Sequence, residues 1–354
     1  MARALMAALD LGGHQVDLAS QFRSYDATGN RENQERLRDM GSRLGASLAQ
    51  KLLHTPDAEK PDAWFTYHLY HKAPDWIGPQ VCEALSIPYF VAEASFAPKQ
   101  AGGPWEIGHD AVAATLAVAD GVFTLNPSDA ECILPLLKSA GCHHSLLPFL
   151  DPSPFDQAVK LRSSHRNQIS GKFNIPGAPP WLLTVAMMRE GDKFASYRVL
   201  ADALEGVREV PWQLVIVGHG PADSETRALF AALDKRVSFL GDIESEDLPA
   251  IYAACDLYVW PAVNEAYGMA ILEAQAAGLP VIAADVGGVG SIVAHGDTGL
   301  LAATPTPSLL ADALASILKD PPLHREFRRA AMERVREHHT IARAAKALSD
   351  VIKG

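Results

Sequence analysis

Short apolar runs rich in β-branched and aromatic residues recur along the whole chain, separated by helical patterns. In the first half the runs fall at residues 14–20, 63–68, 89–94, 122–126 and 145–149. In the second half they fall at 182–188, 213–217, 237–240, 257–260 and 281–284. Such runs predict strands, and their alternation with helices predicts parallel α/β units. In the second half each run ends in glycine or polar residues, which is where α/β folds carry ligand loops.

A Pro/Ser/Gly-rich stretch interrupts the alternation, from Asp151-Pro152-Ser153-Pro154 to Pro176-Gly177-Ala178-Pro179-Pro180. This composition predicts a domain junction. We therefore expect an N-terminal domain over 1–152, a C-terminal domain over 153–335, and a closing helix over 336–354 that packs back on the first domain. That helix continues a pattern starting near Arg325 whose mixed charges predict a solvated face. A doubly wound domain normally opens with a strand, whereas this chain opens in a helical pattern at residues 2–9. The first domain is thus expected to lack its first strand, either because translation begins upstream of Met1 or because the domain is a shortened variant.

The totals narrow the function classes. A chain of 354 residues exceeds one ordinary core, and 48% hydrophobic with 21% charged residues fits a folded soluble protein. A formal net charge of −11 argues against nucleic acid as a partner. No apolar run approaches the roughly 18 residues that span a bilayer, and Met1–Gly13 shows no cleavage-like site. Cys82, Cys132, Cys142 and Cys255 form no CxxC pair, which fits reduced thiols in a cytosolic protein. No metal site is expected. His338 and His339 are too close together on a helix to share a metal from one face and are expected to be solvated.

The most informative stretch is Asn264-Glu265-Ala266-Tyr267-Gly268-Met269-Ala270-Ile271-Leu272-Glu273-Ala274-Gln275-Ala276-Ala277-Gly278-Leu279-Pro280. Gly268 predicts a helix start, and Gly278 with Pro280 predicts its stop. Backbone N–H groups near Gly268 and Met269 would then sit at a helix N-terminus, which favours an anion such as a diphosphate. Glu265 stands in the loop before that helix and Glu273 lies over a turn inside it.

This Glu-x7-Glu pattern, followed by Gly-Leu-Pro, a buried strand, Gly287-Gly288 and His295-Gly296-Asp297-Thr298-Gly299, closely resembles glycosyltransferase family 4. Upstream, Val217-Gly218-His219-Gly220-Pro221 is similar to the family's Gly-x-Gly-Pro turn, and Val237–Gly241 to its next strand. The resemblance implies the GT-B fold: two Rossmann-like doubly wound domains facing a cleft. It also implies a retaining, metal-independent transfer of a hexose-type sugar from a nucleotide-diphosphate sugar, with no other cofactor. On that reading Glu265 positions the sugar hydroxyls, while Tyr267, Gly268 and Met269 hold the sugar and phosphates. Glu273 takes the ribose, Gly218 lines the donor turn, and Asp242 and Ile243 meet the base. Arg189 and Lys193 stabilise the charge left on the diphosphate when the glycosidic bond breaks, a demand that only cations and helix N-termini meet without a metal.

The first half is less explicit. Family members carry a histidine near Ala94 that supports the transferred sugar, and His68 is the best substitute here. Lys72, Lys99 and His109 are weaker candidates. The acceptor is a sugar, a lipid-linked group or a small molecule, and a cytoplasmic site at the inner face of a membrane suits all three. A nucleotide-sugar epimerase, or a nucleotide-sugar-binding protein without turnover, would carry the same donor features.

Overall fold

The computed structural model describes residues 1–354, the side chain of Asp234 excepted. It divides into two units, Met1–Leu147 with Ala344–Gly354, and Pro148–Arg343.

The first unit holds helices α1 (Ala2–Leu11), α2 (Arg31–Leu53), α3 (Gly78–Leu85), α4 (Glu106–Val118) and α5 (Pro127–Ile133). Its sheet is β1 (Trp64–Leu69), β2 (Tyr89–Ala94), β3 (Gly121–Thr124) and β4 (His143–Ser145), all parallel and in chain order. Val91 and Val122 on the sheet pack against Val112 and Leu116 of α4, all fully buried. Local signals set the helix limits. Asn30 caps α2 by accepting from Asn33 N at 2.8 Å, and Asn126 caps α5.

The expected strand at 14–20 does not form. The segment shows some period-two burial, but no neighbouring strand offers it ladder bonds, so it stays outside the sheet. Among the described residues no strand precedes β1. The run at 145–149 also shifts: only Ser145 joins β4, while Leu146 and Phe149 are buried beyond it.

The units divide between Leu147 and Pro148, just before the Pro-rich stretch expected to mark the junction, and that stretch carries α6 (Ser153–Lys160) and α7 (Arg162–Phe173) of the second unit. Pro154 sits in the first turn of α6, where a missing N–H costs nothing, and Pro176, Pro179 and Pro180 lie beyond α7 in the loop that leads to the next strand. Strands β5 (Trp181–Val185), β6 (Gln213–Val217), β7 (Val237–Gly241), β8 (Leu257–Trp260), β9 (Val281–Ala284) and β10 (Gly299–Ala302) follow. They alternate with α8 (Asp192–Gly206), α9 (Asp223–Leu229), α10 (Leu248–Ala254), α11 (Met269–Ala276) and α12 (Val289–Ile292), with α13 (Pro307–Lys319) and α14 (Pro321–His338) after β10. The sheet order β10-β9-β8-β5-β6-β7 reverses between β5 and β8. β8 and β9 are buried throughout, as strands covered by helices on both faces must be.

Asp256, just before β8, sets that central pairing. Its carboxylate accepts from Arg162 Nη2 at 2.6 Å, Arg166 Nη1 at 2.8 Å and the Trp181 amide at 2.7 Å. Arg166 also lies over the Trp181 ring at 4.3 Å. The clasp fixes the entry of β5 beside that of β8, whose own ladder joins only Leu182 to Leu257 and Leu183 to Tyr258.

The single closing helix expected from 325 to 352 is broken after His338, and α15 (Ile341–Ile352) follows. His339 is fully buried rather than solvated, because at the helix end its ring turns inward and its Nδ1–H donates to the Pro148 carbonyl at 2.7 Å. The His339 carbonyl accepts from Leu150 N, and Ile341 N donates to Leu150 O, so two distant chain segments are stitched side by side. Burial pushes the His339 imidazole down to about pH 4. Between 6.5 and that value the unfolded chain holds a proton that the folded one refuses. The stabilisation is therefore complete above pH 6.5 and drains away as pH falls towards 4. Replacing His339 with Gln should flatten the slope of unfolding free energy over that window, by up to about 3 kcal/mol in total, measured by urea denaturation at stepped pH.

Candidate active site

In open parallel sheets, ligands bind beyond the carboxyl ends of the strands where the strand order reverses. Here that point lies past Val185 of β5 and Trp260 of β8. The structure has a recess of about 280 Å³ there, lined by Val185, Lys193, Tyr258, Trp260 and Glu265 and by the first turn of α11.

Glu265 organises the recess. Its Oε2 accepts from Lys193 Nζ at 2.5 Å and from Trp260 Nε1 at 3.1 Å. Both charged side chains are mostly withdrawn from solvent, at 22% and 16% exposure, so each screens the other from an uncompensated burial cost. Lys193 Nζ also lies 5.3 Å from the centre of the Trp260 ring. The loop carrying Glu265 is held from beneath by α8: Val263 N donates to Ser196 Oγ and Asn264 Nδ2 to Asp192 Oδ2, both at 3.0 Å. Ala262 and Asn264 are held at φ 61° and 52°. For an alanine this left-handed backbone costs about 1 kcal/mol or more, so the packing overrides local preference.

Gly268, at φ 76°, starts α11. The helix's own ladder begins at Ile271 N, which bonds Gly268 O, and the amides of Met269 and Ala270 have no backbone acceptor. Two donors and the positive end of the helix thus face the recess beside the Lys193 ammonium, a setting built for an anion.

Glycines lock the surrounding loops together backbone to backbone. A Cβ on Gly218 would sit 1.9 Å from the Ala186 carbonyl, one on Gly220 2.3 Å from that of Met188, and one on Gly287 2.1 Å from that of Glu265. Tyr197 clamps the same segment through a 2.7 Å bond to the Ala186 carbonyl.

The structure brings Lys193, Glu265, Gly268 and Met269 into one recess, with Tyr267 half-buried in the same loop. Glu273 lies a turn further along α11, outside that lining, and accepts from Tyr252 Oη at 2.8 Å. Burial raises its carboxyl above the ordinary range, against the opposing effect of the tyrosine bond. Arg189 sits exposed in the loop after β5, and its guanidinium has no partner among the described residues. Gly218 follows β6. Past β7, Asp242 is exposed while Ile243 packs on the core. His68, in the first unit, is the next-to-last residue of β1 at φ 64° with Nδ1 3.2 Å from Glu93 Oε1, and Glu93 is the next-to-last of β2 at φ 58°. Asp129 lies close by, its carboxyl raised first by burial.

Sequence reasoning missed Trp260, Tyr252 and the Asp192–Asn264 bond. Trp260 carried a usable signal, a large polar-tipped aromatic at a strand's carboxyl end before Pro261. Tyr252 carried none, because its partner lies on another helix.

Residues 166–334 match the sequence profile of the family Glycosyl transferases group 1. The second unit is a member of this family. Over 180 residues the chain is 36% identical to the D-inositol 3-phosphate glycosyltransferase of Corynebacterium efficiens, covering 48% of this chain and 42% of that protein. It is 34% identical to the phosphatidyl-myo-inositol mannosyltransferase of Mycobacterium leprae, covering 40% and 38%. These matches span less than half the length of either relative. Among solved structures, a glycosyltransferase from Rickettsia africae aligns over 99% of this chain and 93% of its own with a TM-score of 0.75 at 16% identity. Anabaena Alr3699/HepE in complex with UDP and glucose aligns over 88% and 81%, with a TM-score of 0.68 at 16% identity. Identities this low carry the fold, and that fold is the GT-B class expected from the sequence.

Gly218→Ala should cost at least about 3 kcal/mol in urea unfolding, because backbone must move to admit the methyl group. A loss below 1 kcal/mol would show that the loops after β5 and β6 are not locked as described.

Proposed function

We propose that this protein is a retaining glycosyltransferase of family 4 that moves a hexose-type sugar from a nucleotide-diphosphate sugar to an acceptor hydroxyl without a metal. The observation that carries the reading is the Lys193–Glu265 pair set beside the open N-terminus of α11 at the switch point of the second sheet. The family of the second unit supports it, as do the glycosyltransferase relatives.

Without ligand, Lys193 and Glu265 neutralise each other. A donor diphosphate gives Lys193 a second anion and adds the Met269 and Ala270 amides as donors, while the freed Glu265 oxygen accepts sugar hydroxyls. As the bond from the anomeric carbon to the phosphate oxygen breaks, its electron pair stays on the diphosphate. Lys193, the helix N-terminus and the exposed cation of Arg189 stabilise that charge. The acceptor oxygen bonds to the same face of the anomeric carbon, and its proton passes to the departing phosphate. Glu273 takes the ribose, and Tyr267, Gly218, Asp242 and Ile243 line the rest of the donor. In the first unit Glu93 holds His68 Nδ1, which leaves Nε2 for a hydroxyl. The acceptor is a sugar, a lipid-linked group or a small molecule, and the work is done in the cytoplasm at the inner face of a membrane. No helix among the described residues is long and apolar enough to cross one.

A thermal shift with UDP, GDP, ADP and their sugars tests the donor site. A ligand at 100 times its Kd stabilises by about 2.7 kcal/mol, a rise of several degrees that Glu273→Ala should abolish. No rise with any nucleotide, from a chain that melts cooperatively, overturns the reading. In sugar-transfer assays Lys193→Ala and Glu265→Gln should each lower kcat about 10²–10³-fold. Binding without transfer by the wild type would leave a nucleotide-sugar-binding protein.

A further inference from the structure

Tyr252 carries a fully enclosed hydroxyl that touches the donor machinery. It stands on α10, fully buried, and its Oη donates to Glu273 Oε2 at 2.8 Å. The ring cannot swing away, because Phe155 of α6 meets it edge-on at 5.9 Å and Tyr258 of β8 lies 6.3 Å away on another side. Glu273 would otherwise rotate about its side-chain bonds, and Oε1 has no hydrogen bond among the described residues. One oxygen is therefore fixed by the protein and the other is presented. A buried carboxylate also tends to take up a proton, which would turn one acceptor oxygen into a donor. A donated hydrogen bond favours the charged, acceptor-only form.

We propose that Tyr252 is a positioning residue that orients the Glu273 carboxylate for the ribose hydroxyl pair of the donor, making the site selective for ribonucleotides. This rests on Glu273 binding the ribose, as argued above. The rival account is that Tyr252 only satisfies a buried carboxylate and supports α11.

Affinity measurements on folded protein separate the two. UDP, GDP and ADP are titrated calorimetrically, and the tightest binder is compared with its 2′,3′-dideoxy counterpart. Tyr252→Phe keeps the ring and removes only the hydroxyl. It should weaken the ribonucleotide about tenfold and leave the dideoxy form unchanged. Glu273→Asp, which withdraws the carboxylate by one methylene, should produce the same ribose-selective loss and serves if Tyr252→Phe does not fold. Equal weakening of both nucleotides, or no weakening of either, overturns the positioning role. A wild type that binds none of the three overturns the donor reading itself, and the positioning role with it.

Discussion

The carboxylate of Asp256 holds together strands that the chain separates by some seventy residues. Two guanidinium groups and the Trp181 amide converge on it, and β5 enters the sheet beside β8 as a result. Hydrophobic burial alone would not choose that neighbour, since β6, β8 and β9 offer equally apolar surfaces. A charged group shared by three donors is far more particular about geometry. Once β5 and β8 are adjacent, the sheet must grow outward in both directions, and the loops at their carboxyl ends must meet. Everything attributed to the recess follows from that meeting.

The chemistry then depends on a balance of charge in a half-dry site. Lys193 and Glu265 stabilise each other, yet neither is sealed off, and a diphosphate or a polyol can compete for either partner. The helix N-terminus adds donors that cannot rearrange, so the site favours an anion before one arrives. Strain at Ala262 is the cost of presenting Glu265 at this point, and the bonds from α8 offset it.

Much of this was legible in the sequence. Five strands of the second half are legible to within a few residues, because runs buried on both faces are nearly pure apolar segments, whereas the short, half-buried edge strand β10 is not. Lys193, Glu265, Gly268 and Met269, which the motif singles out, converge in the structure, since a glycine-started helix after a strand leaves little freedom. Elsewhere the local signals misled. The run at 14–20 has some strand periodicity but no partner strand, and pairing is not written in one segment. The proline-rich stretch marks the domain junction to within a few residues, yet its composition hides the two helices it carries, the first of which takes Pro154 in the one turn that tolerates it. His339 looked solvated because its neighbours are charged, and only the fold turns its ring inward. Long-range bonds such as those of Tyr252 and Trp260 leave no trace at fixed spacing.

The glycine locks have a consequence for anyone redesigning this protein. Gly218, Gly220 and Gly287 place one loop's carbonyls where another loop's side chain would be, so the loops after β5 and β6 form one locked pair and those after β8 and β9 a second. Lengthening or grafting one member of a pair would displace the other, so loops swapped between homologues should be exchanged in pairs. New selectivity is better sought in side chains that project from the locked frame, such as Val185 and Met269, which can change without disturbing the joints beneath them.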